Sequence, residues 1–478
     1  MVDFISVINP ATEELIKEIP IDDSAAVAEK AKRARIAQPG WAARSLSERI
    51  EAIKRMKELL IQQTDSLASI MTAETGKPIS QSRGEISATP QRIDFFIEQV
   101  AQEVASQRVY HEPWNALPGT GQLEEVIAYD PLGVVANISA WNYPYFVGTN
   151  VFIPALLTGN TVLYKPSEIA TMTGLAITDL LHKAGVPEDV FIPIIGEGST
   201  GATLLEQPID GVFFTGSYAT GKKIAITAAP KLIKVQLELG GKDPAYVCDD
   251  VDAATAASSL ADGAFYNNGQ SCCAIERIYV HTDVYEPFLA AFLQTVEAFK
   301  LGKPTDRDTY LGPLSRKPQI AILTQQIADA VEKGAKMHTP GQSGPQSDPH
   351  SDIQSGEQTG FYFAPIVLTE VTHEMSVMKE ESFGPVIGIQ RVQSDDEAIA
   401  LMNDTDYGLT AAVYTAKRER AVRLLEEVNT GSAYWNCCDR VSPRLPWTGR
   451  KHSGIGSTLS REGIRVFLQP RSWHLKSL

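Results

Sequence analysis

The pattern that most limits how this chain can fold is an alternation of short apolar runs with helical segments between Gly133 and Glu238. Val134-Val135-Ala136-Asn137-Ile138, Thr161-Val162-Leu163-Tyr164, Val190 to Ile195, Val212-Phe213-Phe214 and Lys234-Val235-Gln236-Leu237-Glu238 read as strands. Tyr145 to Leu157, Thr173 to Ala184 and Ala219 to Ala228 read as the helices between them. Such alternation selects an α/β fold, a mostly parallel sheet covered on both faces. No residue from Leu132 to Tyr164 is charged, but Asn137, Asn142, Asn150, Asn160, Pro144 and Pro154 interrupt the run. It therefore reads as buried strand, turn and buried helix rather than a membrane span.

Flanking regions carry other signals. Residues 22–36, 46–70 and 84–106 show helical periodicity. From Arg108 to Tyr129, Pro113, Pro118, Gly119 and Gly121 break strand-like runs, as in a β-hairpin that leaves the main fold. A second α/β region extends from about Ala253 to Val441, with helices near 253–267, 284–299, 317–333, 395–402 and 417–427. Within it, His338 to Gly360 is rich in Gly, Pro, Ser, Gln and Asp, which cannot bury a core, and reads as a surface loop. Arg465-Val466-Phe467-Leu468 reads as a late strand whose edge pairs with the hairpin or with another subunit.

A formal net charge of −15 argues against nucleic-acid and anionic-membrane partners. The five cysteines, two adjacent pairs and Cys248, do not make a disulfide framework. With no basic and apolar leader at the N-terminus, they point to the reducing cytoplasm. Neither the vicinal pairs nor the histidines show metal-ligand spacing, so no metal is expected.

Three segments carry candidate chemistry. Cys272 follows Gly269-Gln270-Ser271, small polar residues that suit a tight loop opening on a cleft. A lone cysteine is more often a buried core residue, and a thiol must be activated to act as a nucleophile. Glu238 sits in an apolar run just before Gly240-Gly241, as a base raised by burial or as a strand-end glutamate paired with a lysine. Phe214-Thr215-Gly216-Ser217, ahead of Gly221, follows a strand and opens a helix, where phosphate is received, though a plain turn would look the same.

Trp141-Asn142-Tyr143-Pro144, Lys165-Pro166-Ser167-Glu168, Phe214-Thr215-Gly216-Ser217, Leu237-Glu238-Leu239-Gly240-Gly241-Lys242, Gly269-Gln270-Ser271-Cys272, Glu380-Glu381-Ser382-Phe383-Gly384-Pro385 and Ser453-Gly454-Ile455-Gly456 occur in this order. Together they resemble the aldehyde dehydrogenase superfamily over nearly the whole chain. The resemblance implies a Rossmann-like NAD-binding domain over 1–107 and 131–237, a catalytic domain over 238–445, and a small β oligomerisation arm over 108–130 and 460–478. It makes Cys272, rather than Cys273, the nucleophile that forms a thiohemiacetal with the aldehyde. Asn142 and the Cys272 backbone N–H would hold the oxyanion, each such donor being worth about 3–4 kcal/mol. After hydride transfer, Glu238 would activate the water that hydrolyses the thioester. A coenzyme-A-acylating branch generally lacks this glutamate, so a free acid is the expected product. Lys165 and Glu168 are expected at the adenosine ribose, Gly216, Ser217 and Gly221 by the pyrophosphate, Glu381 at the nicotinamide ribose and Phe383 near that ring. Ile138, Trp141 and Leu239 complete the cofactor set. Glu168 favours NAD, because a carboxylate accepts from a 2′-hydroxyl and repels a 2′-phosphate; NADP is the alternative. A homodimer or homotetramer is expected.

The chain also departs from the family pattern. Pro446-Trp447-Thr448-Gly449-Arg450-Lys451-His452 replaces the usual glycine-rich run, and Thr458 stands where some relatives carry a second carboxylate near the water path. Tyr143, Val147, Asn150, Ser271, Cys273, Val441 and Trp447 are expected to line the substrate pocket. Tyr143 with Trp447 suits the aromatic cage of amino-aldehyde and betaine-aldehyde enzymes, but Asn150 stands where that cage has a bulky aromatic. Arg440 and Arg444 at the mouth suit the carboxylate of a semialdehyde, or are ordinary surface charges. A non-catalytic protein on the same fold is a remote alternative, opposed by the intact Cys272, Glu238 and Asn142. A thiol hydrolase is opposed by the absence of a histidine signature around His281.

Overall fold

In the computed structural model, which describes residues 3–112, 122–340 and 359–477, the alternating segment forms a six-stranded sheet. Across it the strands run Gly454–Ile455, Lys234–Glu238, Gly211–Thr215, Val134–Ile138, Thr161–Lys165 and Phe191–Pro193. All are parallel except Gly454–Ile455, which pairs antiparallel with Leu237 and Glu238. The apolar run expected as a strand from Val190 to Ile195 is shorter, because Pro193 has no N–H to extend the ladder. Val134–Ile138 and Thr161–Lys165 are buried at every position, as both faces of a covered parallel sheet require.

The helix Pro144–Leu157 is buried on almost all sides. Helices Leu46–Gln62, Thr64–Thr75 and Ile79–Val104 pack with it in one core that also takes in Phe467. The long 46–70 periodicity is thus two helices rather than one. Gln63 marks the break, and the first of the pair starts at a Ser45/Glu48 capping box.

After Glu238 the chain needs only Leu239-Gly240-Gly241-Lys242 to begin a second sheet at Asp243. Its seven strands run Lys336–His338, Ile366–Thr369, Val386–Val392, Ile275–His281, Asp243–Val247, Thr410–Tyr414 and Ser432–Trp435. Separate apolar cores cover its two faces. Its helices, Ala253–Phe265, Tyr285–Glu297, Lys317–Glu332, Asp395–Asn403 and Arg418–Glu427, fall where the periodicity places them. His338 belongs to a strand instead of the expected surface loop, and most of that loop lies outside the described residues.

The expected hairpin is present as Gln107–Glu112 and Leu123–Pro131, while Pro113, Pro118, Gly119 and Gly121 lie outside the described residues. Leu468–Lys476 pairs antiparallel along the whole of Leu123–Pro131 and completes a three-stranded sheet. The late strand therefore starts later than its apolar residues suggest. Ser460–Arg465 is helical, and Phe467 is drawn into the first core by stacking on Phe213 at 4.3 Å. Among the described residues no helix is long and apolar enough to cross a membrane.

The buried Asn160 amide ties this C-terminal segment down. It accepts from Gly133 N at 2.8 Å and donates to the carbonyls of Ala155 at 3.2 Å and Phe467 at 3.1 Å. Asn160→Ala orphans buried groups on all three segments and is expected to cost about 2–4 kcal/mol. It should lower the melting temperature by several degrees, and an unchanged melting temperature would show that these bonds do not anchor the C-terminus.

Candidate active site

In an open parallel sheet, ligands bind beyond the carboxyl ends of the strands, at the point where strand order reverses. Here the order reverses between Val134–Ile138 and Gly211–Thr215. Ile138, Lys165, Thr215 and Glu238 each end a strand, and all four line one cleft of about 660 Å³. Cys272, Asn142, Gly216, Ser217, Trp141, Glu168, Leu239, Glu381 and Phe383 line the same cleft. Gly221 lies beneath it, where an added side chain would strike Leu239 at 2.6 Å.

The loop that presents Cys272 has an unusual backbone. Asn267, Asn268 and Gly269 lie in succession in the left-handed region, at φ 52, 58 and 68°. Asparagine tolerates this conformation better than most residues. At Gly269 a side chain would also collide with the Gly384 carbonyl. Side chains hold the loop: Asn268 exchanges bonds with Gly312 at 2.5 and 3.1 Å, Gln270 Oε1 accepts from Ser315 N at 3.0 Å, and Asn267 N donates to Gln81 at 3.0 Å. The thiol it delivers is half-buried at the cleft wall, whereas the adjacent Cys273 is 3% exposed. Cys273 donates to Asp439 Oδ1 at 2.9 Å, and contact with Cys272 together with burial pushes its thiol well above the usual range. Asn142 Nδ2 donates to the Gln270 carbonyl at 3.1 Å beside Cys272. An amide nitrogen carries two hydrogens, so a second donor remains for the cleft.

Glu238 is 5% exposed. Burial pushes its carboxyl up to about 7, against hydrogen bonds from Thr458 Oγ1 and Gln236 Nε2 and the nearby Arg92 charge. It has no ion-pair partner among the described residues, so the reading of a strand-end glutamate paired with a lysine does not hold. The neighbouring lysine, Lys242, instead pairs with Glu276 at 2.6 Å.

Two observations fit a dinucleotide in this cleft. Gly240 lets the Glu381 carboxylate close against the backbone, where any side chain would collide with it, and Glu381 accepts from Gly241 N at 3.0 Å. Burial and then the Glu276 charge push Glu381 up to about 8. At the far end, Lys165 is buried, donates to the Pro166 carbonyl at 3.3 Å and makes no ion pair among the described residues; exposed Glu168 stands beside it. A cation and a carboxylate placed so are apt for sugar hydroxyls. Phe383, at φ 48°, meets Trp141 edge-on at 5.6 Å between these ends.

The expected substrate-pocket residues Tyr143, Val147, Asn150, Ser271, Cys273, Val441 and Trp447 do not line this cleft. Several gather behind the thiol around two buried cations that sequence reading missed, Arg92 and Lys77. Arg92 donates to Asn150 Oδ1 at 3.1 Å and to the Val441 carbonyl at 3.4 Å, and lies over Phe146 at 4.1 Å. Lys77 pairs with Glu85 at 2.5 Å and lies over the Tyr143 ring at 3.9 Å. Tyr143 Oη is buried without a hydrogen-bond partner. The missed signal is helical spacing: Glu85, Thr89 and Arg92 share a face with Ile86, Ile93 and Phe96, so charges interrupt an apolar stripe. Trp447 pairs through its backbone with Thr458, at 2.8 and 2.9 Å, and has no cage partner in Tyr143, which stacks on Phe146.

Comparison with known proteins agrees with this geometry. The aldehyde dehydrogenase family model matches residues 2–473. A succinate-semialdehyde dehydrogenase [NADP(+)] of Deinococcus radiodurans is 36% identical over 461 residues, covering 96% of this chain and 92% of that protein. A lactaldehyde dehydrogenase of Escherichia coli is 33% identical over 479 residues, covering 99% of this chain and 95% of that one. A crystal structure of lactaldehyde dehydrogenase from Escherichia coli superposes with a TM-score of 0.91 at 32% identity, covering 99% of this chain and 96% of that one.

Because Cys272 is half-buried while Cys273, Cys248 and Cys438 are buried, brief iodoacetamide treatment should label Cys272 ahead of these three, as read by peptide mass spectrometry. Preferential labelling of Cys273 would reverse the assignment of the accessible thiol. By family match and structure alike, the chain belongs to the aldehyde dehydrogenase family.

Proposed function

We propose that this aldehyde dehydrogenase works through Cys272, Asn142 and Glu238, and that their convergence on one cleft with the cofactor residues carries the assignment. The Cys272 sulfur adds to the aldehyde carbon, and the oxygen that becomes negative is met by the Asn142 amide. Bound NAD supplies the hydride acceptor, held by Lys165, Glu168, Gly216, Ser217, Glu381 and Phe383. Loss of hydride leaves an acyl group in thioester linkage on Cys272. Glu238 removes a proton from the water that attacks this thioester, which releases a free acid and restores the thiol. A carboxyl near 7 divides between acid and base at neutral pH, so it can both take up and return that proton. NAD is preferred to NADP because Glu168 meets the adenosine ribose with a negative charge.

The substrate is a short aldehyde with a polar tail. The support is the buried polar cluster behind the thiol, with Tyr143 Oη unpartnered and Arg92, Cys273 and Asp439 around it. Succinate semialdehyde and lactaldehyde, which name the similar enzymes, are compounds of this kind. Self-association through the three-stranded arm is supported by Val109, Tyr110, Trp473 and Leu475, which stay exposed on it. All five cysteines are free thiols, in keeping with the cytoplasm.

With a panel of short aldehydes, absorbance at 340 nm should rise faster with NAD than with NADP. Cys272→Ala should lose activity by roughly 10³-fold or more; full retention would contradict the mechanism. Glu238→Gln should form product in a burst and then stall. In the wild type the acid limb of steady-state turnover should rise through about pH 7, because the carboxylate is the active form. A limb near pH 4 would place the base elsewhere.

A further inference from the structure

Thr458 donates to the Glu238 carboxylate, yet it carries no charge and is completely buried. Its backbone is fixed twice, with N donating to the Trp447 carbonyl at 2.9 Å and its carbonyl accepting from Trp447 N at 2.8 Å. Behind it, Gly463 approaches so closely that an added side chain would meet the Thr458 carbonyl carbon at 2.6 Å. A β-branched side chain on so constrained a backbone has one torsion left, and that torsion points the hydroxyl at Glu238 Oε1. The same oxygen accepts from Gln236 Nε2 at 3.2 Å. The Glu238 backbone is also held, since its carbonyl accepts from Gly216 N at 3.0 Å and Gly454 pairs with it across the sheet edge.

We propose that Thr458 is a positioning residue for Glu238, holding the carboxylate by one uncharged hydrogen bond and so setting the pH at which the acyl-enzyme begins to hydrolyse. The proposal rests on Glu238 being the base. A hydroxyl suits the task because it donates to the carboxylate, and so favours the ionised form, without bringing a charge of its own. A second carboxylate at this position would repel the first and raise it further; a lysine would hold it ionised. The charged groups facing Glu238 leave this role open. Arg92, from the helix Ile79–Val104, is the cation whose field reaches it, while Lys165, Glu168 and Glu381 stand along the same cleft and the Cys272 thiol shares its wall.

The test follows deacylation directly and needs neither cofactor nor the natural aldehyde. p-Nitrophenyl acetate acetylates Cys272 as its sulfur attacks the ester carbonyl and nitrophenolate leaves. After rapid gel filtration, loss of the acetyl mass is followed by intact-protein mass spectrometry from pH 5.5 to 9. In the wild type the rate should rise through about pH 7. In Thr458→Val the limb should move upward by about one to two pH units, the loss of one hydrogen bond to a buried charge, and Thr458→Ser should return it. Thr458→Ala, which removes the hydroxyl without adding an apolar group, is read in the same way should the valine variant fail to fold. A limb that stays at the wild-type pH in the valine or alanine variant would overturn the proposal, as would a serine variant impaired as much as valine. Glu238→Gln that deacylates with the wild-type profile would instead overturn Glu238 as the base, which keeps the two failures distinct.

Discussion

The site depends on how short the connection is between the two sheets. Leu239-Gly240-Gly241-Lys242 joins the end of one strand at Glu238 to the start of another at Asp243. Five peptide steps hold these residues no more than about 18 Å apart. Asp243 pairs with Ile275, and Cys272 lies just upstream of Ile275. The carboxyl edge of the first sheet is therefore forced to face the amino edge of the second, and Glu238 and Cys272 share a wall. The glycines make this approach close. A side chain at Gly241 would meet the Cys272 carbonyl at 2.8 Å, and one at Gly240 would displace Glu381. Cys272, Glu238 and Glu381 thus converge on the two glycines.

Within that frame, charge is distributed unevenly. Lys242 and Glu276 neutralise one another, and Glu276 also accepts from the backbones of Ser382 and Phe383, fixing the segment that carries Glu381. Lys77 and Glu85 form a second buried pair, whose glutamate accepts from Tyr145 N at 2.8 Å at the start of the helix that follows Asn142. These pairs fix the segments that carry Asn142 and Glu381. Glu238 belongs to neither pair; it is buried among neutral donors with Arg92 at some remove, and burial therefore dominates its proton affinity.

Much of this was legible in the chain because period and chemistry coincided. Val134–Ile138, Thr161–Lys165 and Gly211–Thr215 are buried at every position, so they read as short, largely apolar runs, and glycines fell where backbones must meet. Cys272 and Glu238 stood out because each sits beside glycines, at Gly269 and at Gly240-Gly241, whereas Asn142 and the cofactor residues were singled out through the family resemblance. Arg92 was not legible, because a buried charge inside an amphipathic helix looks like a solvent-facing one until its partners are known, and Lys77, in the short connection before that helix, carries no local signal of its burial against Glu85. Phe467 misled for a related reason: an apolar residue after a helix reads as a strand, but here it fills a core around Phe213. The surroundings of Asn150 and Cys273 depended on long-range contacts, Arg92 with Asn150 and Cys273 with Asp439, that no local pattern encodes.

The central claim is that an acyl group passes through Cys272 and is released by Glu238. The most direct measurement is intact-protein mass spectrometry of Glu238→Gln, quenched in acid shortly after mixing with NAD and a productive aldehyde. The account predicts a species heavier by the aldehyde less two hydrogens, with the added mass on the peptide carrying Cys272 and no adduct when Cys272 is replaced by alanine. A Glu238→Gln enzyme that turns over with no trapped adduct, or an adduct on another residue, would contradict it.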